Sequence, residues 1–163
     1  MKLRLVPLCL ALALLGPAHP ASSEQSSVAY PTGYRKWPLV KSMVIYSDKH
    51  PLFGQFGGLH HVYANGEALR ALTKGGTFPD GSVLVFDLLE ARDENGAYVE
   101  GERKLIAVMA KDRARFKATG GWGFEGFKGS GDSERLVTDA TKQCFGCHQA
   151  QKDNDFTFSG YTP

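Results

Sequence analysis

The stretch Cys144-Phe145-Gly146-Cys147-His148 constrains this chain most. Two cysteines two residues apart, followed at once by a histidine, form the CxxCH pattern of covalent c-type haem attachment. Both thiols add to the haem vinyl groups, and the histidine reaches the iron as an axial ligand. The chain has 3 cysteines, and the remaining one, Cys9, lies in an apolar N-terminal run. No set of Cys and His partners for zinc accompanies the motif, although a zinc half-site or a disulfide beside a histidine uses the same residues. The pattern predicts one haem c per chain, held by Cys144 and Cys147 with His148 as the iron ligand.

Residues 1–21 read as a secretory signal peptide: Lys2 and Arg4 precede an apolar run from Leu3 to Leu15, which is shorter than the ~20 residues a membrane span needs. Small residues Ala18, Ala21, Ser22 and Ser23 follow. Export to the periplasm is expected, with no membrane attachment once the signal is cleaved. Lys2 and Arg4 account for the formal net charge of +2, so the exported chain is near neutral. No basic face with interleaved aromatics points to nucleic acid. Residues 22–29 read as a polar, disordered lead-in and residues 30–163 as a single domain.

Turn and strand signals dominate that domain. Val40 and Met43 to Tyr46 suit a strand, as does Leu59 to Tyr63. Asn65 is a good N-cap for a helix through Leu72 that stops at Gly75-Gly76. Val83 to Leu89 reads as a strand buried on both sides, Asp93 to Gly96 as a turn, and Lys104 to Met109 as the returning strand. Lys111 to Lys117 suits one or two helical turns, Trp122 to Phe127 a half-buried strand, and Ser133 to Gln149 a helix delivering the CxxCH. The expected fold is mainly β (α+β), an antiparallel sheet of about five strands with a few helices.

The sixth iron position decides function. Only Gln149 to Pro163 follow the motif, with neither Met nor His among them. An electron carrier would need a ligand from upstream, among Met43, Met109, His50, His60 and His61. A helical-bundle gas-binding cytochrome needs long amphipathic helices that this Gly-rich, β-branched chain lacks. Gly121, Gly123 and Gly126 match a dinucleotide fingerprint, but no βαβ unit surrounds them; they suit close approach of backbone to a porphyrin.

Five segments taken together resemble the cytochrome P-460 family: Tyr34-Arg35-Lys36-Trp37, His61-Val62-Tyr63-Ala64-Asn65, Gly76-Thr77-Phe78-Pro79-Asp80-Gly81-Ser82-Val83, Gly121-Trp122-Gly123-Phe124 and the CxxCH. The resemblance covers nearly all of residues 30–163. It implies an antiparallel β fold, a homodimer, and a five-coordinate haem with His148 proximal. One class of the family oxidises hydroxylamine and carries a lysine joined to the haem ring. The other, cytochrome c′-beta, binds NO or CO under a phenylalanine-lined pocket. Lys74, four residues before Phe78, matches the cross-linking lysine, and Glu125 stands as a candidate proton relay. Against this, Gly123 occupies the position associated with the enzyme-class carboxylate, and Phe53, Phe56 and Phe78 are candidates for an apolar distal pocket. His60 and His61 point to opposite strand faces, so at most one enters the pocket, and His60 is the candidate. The balance favours the cytochrome c′-beta type. Hydroxylamine oxidation is the alternative, and simple electron transfer, with a periplasmic redox partner, is the second alternative.

Overall fold

A computed structural model describes residues 28–161. The expected signal peptide and most of the lead-in lie outside the described residues. Five strands form one antiparallel sheet in sequence order: β1 Leu39–Ile45, β2 Gly58–Ala64, β3 Val83–Glu94, β4 Ala97–Lys111 and β5 Trp122–Lys128. Sequence neighbours are sheet neighbours, as in an antiparallel meander, with the connection between β2 and β3 long enough to hold a helix. The helices are few: α1 Phe53–Phe56, α2 Gly66–Lys74 and α3 Gly146–His148.

Cross-strand partners share a face of a pleated sheet, so the register divides the chemistry. Ala64, Leu84, Met109 and Phe124 form one row, and Val62, Phe86, Ala107 and Gly126 form the next row on the same face. The opposite face carries Tyr63, Val85, Val108 and Glu125 in one row and His61, Asp87, Ile106 and Phe127 in another. Each face has its own core. Ala68 and Ala71 of α2 pack with Phe78, Trp122, Phe124 and Phe145 on the first. Val28 and Tyr34 pack with Val85, Ile106 and Phe127 on the second.

Helix α2 matches its sequence signals, with the Asn65 side chain accepting from the Ala68 N–H and the Gly75 N–H closing on Ala71. Four other segments differ. Val28, read as lead-in, is buried, and its carbonyl accepts from Arg135 at 3.1 Å. Ser133 to Gln149 is not one helix: Arg135 bridges to Phe127, and the Leu136 N–H donates to Gly126 O at 2.8 Å. This segment covers the edge of β5, because the unpaired backbone of an edge strand offers more than a solvated helix face would. Helical structure starts only at Thr141, as one π-helical turn running into α3. Lys111 ends β4 instead of opening a helix; Asp112 turns the chain by accepting from the Ala114 and Arg115 N–H groups. Strand β5, expected half-buried, is buried on both faces, with Trp122 and Phe124 in the first core and Phe127 in the second.

Candidate functional site

The π-helical turn Thr141–Phe145 and α3 present Cys144, Cys147 and His148 beside the first sheet face. Gln143 and Asp139 start this turn: Gln143 Oε1 accepts from the Thr138 and Asp139 N–H groups, and Asp139 accepts from the Lys142 N–H. Phe145 is buried and anchors the motif against Phe124 and Phe156. Cys144 is half-buried, Cys147 is exposed, and both thiols are free. Burial, with added repulsion from Glu125 and Cys147, pushes the Cys144 thiol up to about 11. Among the described residues no three of His, Cys, Asp and Glu come together to hold a metal ion.

His148 is tightly constrained. Its Nδ1 lies 2.7 Å from the Phe156 carbonyl, and a carbonyl only accepts, so Nδ1 carries the proton and the Nε2 lone pair is free. Phe124 and Phe158 lie against the ring, each with centroids 5.0 Å away. Burial pulls the imidazole pKa below its ordinary value, which favours the neutral form that binds metals. Phe158 is 54% exposed despite its size. Val62, Phe86, Ala107 and Met109 on the adjoining sheet face are only partly buried. A cleft of about 580 Å³ opens beside β5, and its lining includes Phe116, Trp122, Gly123, Phe124, Glu125 and Arg135. Free paired thiols, a neutral imidazole with one free nitrogen, and uncovered aromatic surface fit a flat, apolar, covalently held macrocycle.

The other sequence candidates separate. Phe78 is 2% exposed and stands edge-on to Trp122 at 5.2 Å, inside the core that holds Phe145. Phe56 and His60 gather around Phe86, with centroids 5.9 and 4.8 Å from its ring. His60 is buried, its Nε2 meets the Phe56 carbonyl, and its Nδ1 is buried without a partner among the described residues. Burial lowers its pKa. His61 faces the other way, with ring nitrogens on Ser42 and Glu100. Phe53 borders a separate cavity of about 300 Å³ with Ile45, Tyr46 and Lys104. Lys74 is exposed on the last turn of α2.

Gly123 and Glu125 lie on the opposite strand face from Phe124. A Cβ on Gly123 would sit 2.3 Å from the Phe116 ring and 2.6 Å from a Val28 methyl, so this glycine admits those side chains, and a Cβ on Gly126 would meet Leu136 at 3.2 Å. At both positions the room left by the missing side chain is taken by side chains of the protein itself. Glu125 is 7% exposed; it accepts from Arg135 at 2.6 Å, from the Gly126 N–H at 2.9 Å and from the Val137 N–H at 3.2 Å. It ties residues 135–137 to β5. Sequence reasoning missed Phe124, Phe158 and the Phe156 carbonyl around His148. Alternation marked Phe124 only as a buried residue, and a backbone carbonyl leaves no trace in residue identity.

Residues 31–159 match the family profile described as Cytochrome P460. No curated protein matches the chain.

Proposed function

Because the chain belongs to the cytochrome P460 family, whose members are haem proteins, we propose that it is a c-type haem protein that binds NO or CO. Cys144 and Cys147 would carry the haem through thioethers, and His148 Nε2 would ligate its iron. A bound haem would supply an iron to which a diatomic ligand can add. The chain's own part is to hold one imidazole nitrogen protonated on Phe156, present the other, and exclude water with Phe124, Phe158 and the partly buried row on the sheet face.

The observation carrying this reading is the engagement of Glu125. A proton relay must have a carboxylate available to the bound ligand, whereas this one is engaged by Arg135 and two backbone N–H groups. Apolar surroundings favour weakly polar diatomics over a strongly hydrated substrate such as hydroxylamine. Export to the periplasm and a homodimer are part of the proposal.

The test is an optical spectrum of the ferrous holoprotein with and without CO, followed by tryptic mapping of the haem peptide. A high-spin spectrum that shifts on CO addition, with a haem peptide spanning Cys144 and Cys147 alone, is the expected result. A strongly red-shifted Soret band and a haem peptide that also contains Lys74 would overturn it in favour of hydroxylamine oxidation. A low-spin ferrous iron indifferent to CO would instead indicate an electron carrier.

A further inference from the structure

On the far side of the Phe156 carbonyl lies a buried ion pair that the gas-binding reading does not use. Lys111 is 3% exposed; its Nζ donates to Asp155 Oδ1 at 2.7 Å and to Gly120 O at 3.1 Å, and stands 4.8 Å from the centre of the Trp122 ring. The second oxygen of Asp155 accepts from the Phe78 N–H at 2.9 Å, and its backbone carbonyl accepts from Trp122 Nε1 at 2.8 Å. Asp155 has φ 46° and Phe156 φ 63°. Two consecutive side-chain-bearing residues in the left-handed region are unfavourable, and persist only where surrounding contacts over-determine them. The contacts here do so, and the result of the turn is one carbonyl on His148 Nδ1 at 2.7 Å.

A buried ion pair is a poor source of stability compared with apolar packing of the same volume, and what this pair does hold is the turn at Asp155 and Phe156. We infer that the Lys111–Asp155 pair is a positioning device for His148: it locks the Asp155–Phe156 turn so that the Phe156 carbonyl sets the orientation and basicity of the imidazole. The inference rests on the reading of His148 as the iron ligand. Lys111 and Asp155 are positioning residues, since they act only through the turn. A partner that fixes the second nitrogen of a ligating histidine raises its basicity, and its loss typically weakens metal-centred function by ~10-fold to ~100-fold.

The experiment uses the full-length holoprotein and the iron–histidine stretching band of its ferrous form in resonance Raman. Asp155→Asn removes the charge, keeps an acceptor for the Phe78 N–H, and places at the turn a residue that tolerates its conformation. Lys111→Met with Asp155→Asn removes both charges and serves if the single variant does not fold. Asp87→Asn is the control, because Asp87 holds a buried pair with Arg103 at 2.6 Å on the other sheet face. The band is expected to move to lower frequency in the Asp155 variants, with CO dissociation faster by about 10-fold, and to stay in place in Asp87→Asn. A folded Asp155 variant with the wild-type band, or an equal shift in Asp87→Asn, overturns the inference. A wild-type protein with no such band, or one that keeps it after His148→Gly, removes the ligand assignment itself and the inference with it.

Discussion

Replacing Glu125 by alanine separates a structural carboxylate from a catalytic one. The side chain accepts three hydrogen bonds, one from the Arg135 guanidinium and two from the Gly126 and Val137 N–H groups. Breaking a buried ion pair from one side costs about 3–5 kcal/mol. The Arg135 side chain is 40% exposed, so water recovers part of its solvation, and the low end, about 3 kcal/mol, applies. For a domain of this size each kcal/mol moves the melting temperature by roughly 3–5 °C, giving a fall of about 10 °C. Thermal unfolding followed by circular dichroism reads this directly. CO affinity of the holoprotein should change little, because the Glu125 carboxylate is taken up by Arg135 and two backbone N–H groups. An unchanged melting temperature combined with loss of hydroxylamine turnover would refute the reasoning and make Glu125 a proton-transfer group.

Three further outcomes follow from local geometry. His60 has its pKa lowered by burial from an ordinary 6.5, so the unfolded chain binds the proton more readily. Its stability contribution is full above pH ~6.5 and is lost as the pH falls toward the depressed folded value; His60→Phe should flatten that part of a pH series of denaturant midpoints. Gly120→Ala places a Cβ 2.4 Å from the Phe156 ring at a backbone φ of +65°; the Phe156 turn must shift, costing at least about 2 kcal/mol and slowing CO binding, as melting and flash photolysis will read. In the haem-free chain iodoacetamide should label exposed Cys147 well before Cys144, whose thiol is pushed up to about 11; mass mapping of a time course at neutral pH checks the order, and equal labelling would contradict it.

Much of the scaffold was legible because local rules and tertiary packing agree there. The Asn65 cap, the Gly75 stop and the Asp93–Gly96 turn are short-range devices, and strands β2 to β5 begin within a few residues of their hydrophobic patterns except at the start of β4. Strand β4 begins at Ala97, well before Lys104, because Tyr98 and Val99 pair with Asp93 and Arg92 beyond the apolar run. The segment from Ser133 misled for a different reason. Its residues tolerate a helix, but the edge of β5 supplies backbone partners that local propensity cannot register. Among the site candidates, Phe78, Phe56 and His60 lie on the same sheet face as the motif, whereas Gly123 and Glu125 do not.

The chain's residues by themselves carry the attachment motif, the family, the strand count and the single well-capped helix, because each is encoded in spacing, turn chemistry or periodicity. Tertiary structure alone decided what surrounds His148. Which side of β5 a residue faces is set by register with β4, so Glu125 and Phe124 lie on opposite faces of the strand. The Phe156 carbonyl reaches His148 only because Lys111, Trp122 and Phe78, all distant in sequence, converge on Asp155 and hold a turn that no local preference would choose.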